Sequence, residues 1–183
     1  MKKLLFLLMA GFFVLSACGN SEDSKDSEMK ASEPKKEKPE EDKKDKSLED
    51  KTAKLDDVNV EILNAEYLPK GTYEYQESPQ LAVEYEVKNK SDKEITPLTG
   101  WFAAFEATQD GEDTVRKLDV GMTPNTDKYQ SYVDTQSDNI KKDGTAKGAV
   151  ALDLKDTETP VVLTAHKGVG GEELGQVKIN ISK

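Results

Sequence analysis

The chain has 183 residues and a formal net charge of −10, and 34% of its residues are charged. Residues 58–183 carry fourteen basic and twenty-two acidic side chains, so this part alone has a net charge of −8. Such an acidic surface argues against nucleic acid and anionic lipid as ligands, since both require basic patches. A single cysteine, Cys18, excludes an intrachain disulfide, so a domain in the 126 C-terminal residues must fold on hydrophobic burial alone.

The N-terminus has the three parts of an export signal. Lys2 and Lys3 precede the twelve apolar residues from Leu4 to Leu15, and two small residues then lead to Cys18. Twelve helical residues reach about 18 Å, which is too short for a bilayer core of roughly 30 Å. A transmembrane helix is therefore not expected here.

The segment Leu-Ser-Ala-Cys at positions 15–18 resembles the lipobox of bacterial lipoproteins. The resemblance implies a lipoprotein signal peptide over residues 1–17, cleavage before Cys18, and a diacylglycerol on the Cys18 sulfur. Two acyl chains hold a protein on a bilayer where one chain does so only marginally. We therefore expect a bacterial lipoprotein anchored to the extracellular face of the cell membrane. The alternative is an ordinary secretory signal that happens to be followed by a cysteine.

Residues 18–57 are predicted to be the lipidated cysteine followed by a disordered charged tether. Residues 19–57 hold ten lysines and fourteen acidic residues but few apolar side chains, among them Ala53 and Leu55. This composition buries too little surface to offset the entropy of ordering. A solvated spacer is the simpler interpretation, and a partner-binding role for the charge run is the alternative.

From Val58 onward, apolar and polar residues alternate as in half-buried strands. Val58–Ile62 begins the first strand, and a slip in phase predicts a bulge near Asn64. Residues 100–107 are predicted as an aromatic strand with Trp101 on one face. Further strands are predicted at 81–87, 115–120, 150–154, 161–165 and 177–181, whereas residues 121–140 fit either a loop or a short helix.

About seven short strands without an amphipathic helix predict an all-β sandwich or barrel, and a buried tryptophan on the third strand favours an immunoglobulin-like β-sandwich over residues 58–183. The segments LAVEYEVKNKSDKEI, GWFAAFEA and IKKDGTAKGAVALDLKD, the last followed by TPVVLTA, resemble a group of Ig-like bacterial lipoproteins of unknown function. The resemblance implies an extracellular Ig-like domain and transfers no catalytic residue.

The sequence offers no cluster of residues suited to catalysis. His166 is the only histidine, and without a second histidine or an available cysteine no His/Cys metal site can form. Asp110, Glu112 and Asp113 do not follow the EF-hand spacing and are better explained as a solvated hairpin turn. We therefore expect a protein that is not an enzyme and that has neither a metal nor a cofactor.

Four tyrosines are the candidate partner-binding residues: Tyr73, Tyr75, Tyr129 and Tyr132. Exposed aromatic side chains on sandwich loops are typical recognition anchors, and the alternative is that these rings cap the core. The predicted function is a membrane-anchored binding module that presents its loops to an extracellular protein or a cell-wall component. The alternative is a structural subunit of a cell-envelope complex that has no ligand site of its own.

Overall fold

A computed structural model describes residues 48–49 and 51–183. The predicted signal peptide, Cys18 and most of the predicted tether lie outside the described residues. Among the residues that are described, no helix is long and apolar enough to cross a membrane.

Strands dominate the described part of the chain, with two short helices between them. The strands are β1 (Leu48–Glu49), β2 (Thr52–Lys54), β3 (Val58–Leu68), β4 (Gln80–Asn89), β5 (Phe105–Asp110), β6 (Val115–Lys117), β7 (Val120–Gly121), β8 (Thr145–Asp153), β9 (Val161–His166) and β10 (Glu173–Ile179). The helices are α1 (Pro97–Ala104) and α2 (Gln130–Thr135), and a 3₁₀ turn at Asp127–Tyr129 precedes α2.

The strands form two antiparallel sheets. One sheet has the order β1-β2-β3-β4-β8-β7, and the other has the order β10-β9-β5-β6. The strands β3-β4-β8-β7 and β10-β9-β5-β6 correspond to the A-B-E-D and G-F-C-C′ sheets of an immunoglobulin sandwich. The predicted Ig-like β-sandwich is confirmed, and short edge strands raise the number of strands above the predicted seven.

The core between the sheets is apolar and continuous. Alternate residues of β4, from Leu81 to Val87, face buried residues of β5 and β9. Trp101 lies at its centre, with its ring centroid 5.0 Å from that of Tyr85 and 5.4 Å from that of Phe105. Tyr85 and Trp101 are both buried, so the aromatic trio lies wholly within the core.

Trp101 is buried as expected, but the prediction of a strand from Gly100 to Ala107 is wrong for its first half. Residues up to Ala104 form α1, and the strand begins only at Phe105. Thr96 accepts a hydrogen bond from the Thr99 amide in a capping box, and Pro97 occupies the first helical turn. The buried residues follow helical spacing: Pro97, Gly100, Trp101 and Ala104.

The folded region begins before Val58, inside the segment assigned to the tether. β2 pairs with Asn59–Glu61 of β3, and Ala53 and Leu55 are buried in the core. The Leu55 amide donates to the Val58 carbonyl at 2.9 Å and closes the turn between the two strands. Two apolar residues are too few to predict a strand from the sequence. This segment becomes ordered because it pairs with β3.

Three further predictions concern a bulge, a strand and an unassigned segment. The bulge predicted near Asn64 is confirmed between Ile62 and Asn64. The single strand predicted over 115–120 is instead two, because the chain crosses between the sheets: β6 pairs with β5, and β7 pairs with β8. Residues 121–140 contain the 3₁₀ turn and α2, which answers the choice between loop and helix.

Candidate functional site

A cleft of about 330 Å³ opens at one end of the sandwich. Three turns that are distant in sequence build it: the β2–β3 turn, the segment from β4 into α1, and the β9–β10 turn. We call it the end cleft. Its lining residues are Leu55, Asp56, Asp57, Val58, Lys93, Glu94, Ile95, Thr99, Gly100, Ala103, Lys167 and Gly168.

The end cleft lies where immunoglobulin variable domains bind their ligands. In the Ig correspondence above, the β4–α1 segment is the B–C connection and the β9–β10 turn is the F–G loop. The B–C and F–G loops carry two of the three complementarity-determining regions of each variable domain.

The lower part of the cleft is apolar and preformed. Leu55 and Val58 are buried, and Ile95 and Ala103 pack against the core. α1 can approach β4 closely because residue 100 is a glycine, since a Cβ there would lie 2.7 Å from Val87 Cγ1. The position of α1, and so the depth of the cleft, depends on that contact.

Two exposed ion pairs lie on the rim. Lys93 Nζ is 2.5 Å from Asp57 Oδ2, and Lys167 Nζ is 3.3 Å from Asp56 Oδ1. They connect the β2–β3 turn to the B–C connection on one side and to the F–G turn on the other. Pairs this exposed contribute about 0–1 kcal/mol each, so a ligand can exchange with them at little cost.

A buried asparagine fixes the shape of the B–C connection. The Asn89 Nδ2 donates to the carbonyls of Lys93 and Ile140, both at 2.9 Å, and its Oδ1 accepts from the Ser91 amide at 2.9 Å. No pattern in the sequence indicates that Asn89 is buried and orders the cleft rim.

The F–G turn presents an apolar side chain at its tip. Gly168 and Gly170 have positive φ angles, and Val169 between them is 88% exposed. His166 Nδ1 lies 3.2 Å from the Gly171 carbonyl oxygen, so the histidine helps to close this turn. No group of three or more His, Cys, Asp or Glu side chains in the described part of the chain could hold a metal ion.

The structure brings three of the four predicted tyrosines together, but away from the end cleft. Tyr73, Tyr129 and Tyr132 belong to a second apolar cluster with Leu68, Ala82 and Ala149, on the outer face of the β3-β4-β8 sheet. Tyr129 is only 1% exposed. The expectation that it is an exposed anchor is therefore corrected, because α2 and the preceding turn fold over the sheet and bury the ring.

Tyr73 and Tyr75, which lie in the same loop between β3 and β4, differ in exposure. The Tyr73 hydroxyl donates to Gln80 Oε1 at 2.5 Å, and this ring is half-buried. Tyr75 is 88% exposed and has φ of 64°, a left-handed conformation that non-glycine residues rarely adopt. Of the four tyrosines, Tyr75 has the geometry of an exposed contact residue, and it stays a candidate.

A charged network surrounds Tyr129. Its hydroxyl donates to Glu66 Oε2 at 2.8 Å, and Lys128 pairs with both Glu66 and Glu84. The hydrogen bond from Lys128, followed by that from Tyr129, holds the pKa of Glu66 below its usual value. Burial, followed by the bond to Glu66, raises the pKa of Tyr129 to about 12. We call this group of four side chains the Glu66 network.

Comparison with known proteins gives a family and a fold. Residues 30–167 match the family described as Domain of unknown function (DUF5067). No curated protein matches the chain. Two solved structures share the fold: a "putative lipoprotein" from Staphylococcus aureus (TM-score 0.64, 22% identity, 74% of this chain and 91% of that one) and a protein from Enterococcus faecalis (TM-score 0.56, 18% identity, 73% and 92%).

A third structure is an uncharacterised β-sandwich protein from Clostridium difficile, with a TM-score of 0.44, 19% identity, and coverage of 80% of this chain and 99% of that one.

Proposed function

The chain belongs to the DUF5067 family, and from that premise we propose that it is a lipid-anchored extracellular lipoprotein whose Ig-like domain binds a protein partner at the end cleft. The Leu-Ser-Ala-Cys segment at 15–18 and the similarity to the lipoprotein described from S. aureus support the anchor. The domain supports the binding role through its geometry. We also propose that it binds without catalysing a reaction.

The observation that carries the binding proposal is the end cleft itself. Its volume of about 330 Å³ lies in the range of preformed ligand pockets. An apolar floor with an exchangeable charged rim suits one or two apolar side chains of a partner, flanked by polar residues. Val169, which follows the lining residue Gly168, adds an exposed apolar side chain at the tip of the F–G turn. Buried anchors with a polar rim are the usual arrangement of protein interfaces.

The anchor is tested by replacing the proposed lipidation site. With Cys18→Ala, the acyl chains have no sulfur to attach to, so the protein should move from the membrane fraction to the medium. Fractionation of intact cells measures this change. Ser16→Gly, which leaves the cysteine in place, serves as the control and should keep the protein on the membrane. If the Cys18→Ala chain stays in the membrane fraction, the lipid anchor is refuted.

The end cleft is tested by crosslinking the tagged full-length chain on intact cells and identifying partners by mass spectrometry. Val169→Asp places a charge at the tip of the F–G turn, next to Gly168 of the cleft lining, and should remove a reproducible partner. Val115→Asp is the matched control, because Val115 is 67% exposed on the edge strand β6 and does not line the cleft.

Three outcomes would contradict the assignment. A partner lost only with Tyr75→Ser would move the site to the loop between β3 and β4. A partner kept by every variant would favour the structural-subunit alternative. No reproducible partner at all would remove the protein-binding proposal.

A further inference from the structure

Among the strands that the structure describes, one edge of the sandwich is left open. On β3, β2 covers Asn59–Glu61, and the Ile62 amide donates to the Lys51 carbonyl at 3.0 Å. Lys51, with φ of 69°, turns the chain between β1 and β2, which pair with each other. Within residues 51–183, no strand pairs with the outer edge of residues 63–68 of β3. Six residues of strand give an open edge of about 20 Å.

A groove of about 490 Å³ runs along this edge. Asn64–Tyr67 of β3 and Leu81 of β4 form one wall, Lys128 of the 3₁₀ turn contributes from the outer face, and Asn180 and Ser182 contribute from the segment that follows β10. The backbone edge of β3 is thus framed by side chains rather than exposed on a flat surface. We call it the edge groove.

The two faces of the edge groove differ in chemistry. On the outer face, Glu66 and Glu84 share one cation, Lys128, whose Nζ is 3.1 Å from Glu84 Oε1. Two carboxylates and one ammonium group leave one excess negative charge at this position, and the domain as a whole is also acidic. On the inner face, Ala65 and Tyr67 pack against the main core. A strand laid along this edge would meet an acidic surface on one side and an apolar one on the other.

We propose that the open edge of β3 accepts an extended basic segment of a partner protein as an added antiparallel strand. Unpaired backbone groups of an edge strand pair readily with a second chain, and side-chain pockets then select its sequence. An added antiparallel strand would have the same direction as β2, which pairs with the first half of β3. The alternation along the strand favours Lys or Arg opposite Asn64 and Glu66, and small apolar residues opposite Ala65 and Tyr67.

This site is separate from the end cleft and goes beyond the function proposed above. The two share no lining residue. Loss of binding at one therefore leaves binding at the other unchanged, and the two proposals fail or succeed independently.

The test uses full-length protein in a non-ionic detergent and three synthetic peptides with blocked ends. Lys-Val-Lys-Val-Lys-Val carries the predicted alternation, Lys-Val-Pro-Val-Lys-Val removes a strand hydrogen bond, and Glu-Val-Glu-Val-Glu-Val reverses the charge. We expect the first peptide to slow hydrogen exchange of backbone amides in residues 63–68 and to bind at least about tenfold more tightly than the other two, or about 1.4 kcal/mol.

Two matched variants locate the effect. Asn180→Trp fills the edge groove from an exposed position and should abolish the protection, whereas Asn125→Trp, also exposed but outside the groove, should leave it intact. The proposal is overturned if no peptide protects residues 63–68, if the proline peptide binds equally well, or if Asn125→Trp has the same effect as Asn180→Trp. It is also overturned if soluble wall glycan, and not peptide, protects these amides.

Discussion

The two ends of the sandwich are held together by different kinds of contact. At the end cleft, buried Asn89 orders the B–C connection and the Lys90 amide donates to the Asp57 carbonyl, but the side-chain contacts between the turns of the rim are exposed ion pairs, as between Lys167 and Asp56. At the opposite end, the loop between β8 and β9 is tied to the interior by Gln109, a side chain with no solvent exposure. Its Nε2 donates to the Asp156 and Thr159 carbonyls at 3.1 and 2.7 Å, and its Oε1 accepts from the Lys155 amide at 2.8 Å.

The same contrast extends to the carboxylates. Asp156 accepts hydrogen bonds from the amides of Thr159 and Glu158, which hold its pKa far below the usual value, and it also pairs with Arg116 at 2.5 Å. Buried and hydrogen-bonded contacts resist local opening, while exposed pairs do not. The comparison teaches that the exposed rim ion pairs of the end cleft can break at small cost, whereas opening the β8–β9 loop at the opposite, closed end would leave the buried Gln109 amide without its partners.

The largest effect is expected from breaking the closed end. Gln109→Leu keeps the size of the side chain but leaves two carbonyls and two amides without their Gln109 partner, which should lower the free energy of unfolding by about 2–3 kcal/mol. Urea unfolding followed by circular dichroism measures the change. Gln176→Leu, at an exposed position of β10, is the control and should lie near zero. Equal losses in both variants would contradict the special role of Gln109.

A second prediction concerns alkaline pH and the Glu66 network. The pKa of Tyr129 is raised to about 12, so its hydroxyl stays protonated to a higher pH in the folded state than in the unfolded chain. Stability is therefore full below about pH 10 and falls as the pH rises towards 12, by about 2 kcal/mol from this residue. Tyr129→Phe should flatten the decline in part, because the raised pKa of buried Tyr85 also contributes. A decline of unchanged slope in Tyr129→Phe would refute the assignment.

At acid pH, Glu66 gives stability the opposite dependence on pH, and the expected effect is smaller. Because the pKa of Glu66 is lowered in the folded state, its contribution is present above the usual value of 4.5 and is lost as the pH falls. The carboxylate is partly exposed, so we expect less than about 1 kcal/mol. Thermal unfolding of Glu66→Gln between neutral and acid pH measures it, and Glu61→Gln, at an exposed position of β3, is the control.

The smallest effect is expected at the end cleft. Replacing Lys93 and Lys167 together by alanine removes both rim ion pairs, yet stability should change by less than about 1 kcal/mol, and the difference should shrink further at high salt. Urea unfolding at two salt concentrations provides the measurement. A loss of unfolding free energy comparable to that of Gln109→Leu would show that the rim ion pairs stabilise the fold as much as the Gln109 hydrogen bonds do, and would contradict the difference between the two ends.

The sequence predicted what depends on local periodicity and missed what depends on distant pairing. Alternation identified β3 and β4 together with the bulge at Asn64, because a strand shows its two faces within a few residues. The run 100–107 fits both periods, and Thr96, Pro97 and Thr99 were the start signals that would have favoured a helix.

The candidate site could be predicted only in small part. The end cleft is built from positions as far apart as Leu55 and Gly168, and no pattern along the chain brings them together. The burial of Tyr129 depends likewise on Glu66, which lies 63 positions away. Exposed Tyr75 and buried Tyr129 look alike in sequence, because both lie in polar connecting segments.

The pairing of β4 with β8 also governs how fast the chain can fold. Leu81 lies opposite Leu152, so the central ladder of the larger sheet joins residues 71 positions apart. Closing a loop of that length costs about 4 kcal/mol of chain entropy before any contact is gained. Sandwiches with such non-local pairing fold in roughly milliseconds to seconds. During that interval the β3–β4 hairpin, whose strands are neighbours in sequence, is the natural first structure, and the free edge of β4 stays accessible to proteases until β8 pairs with it.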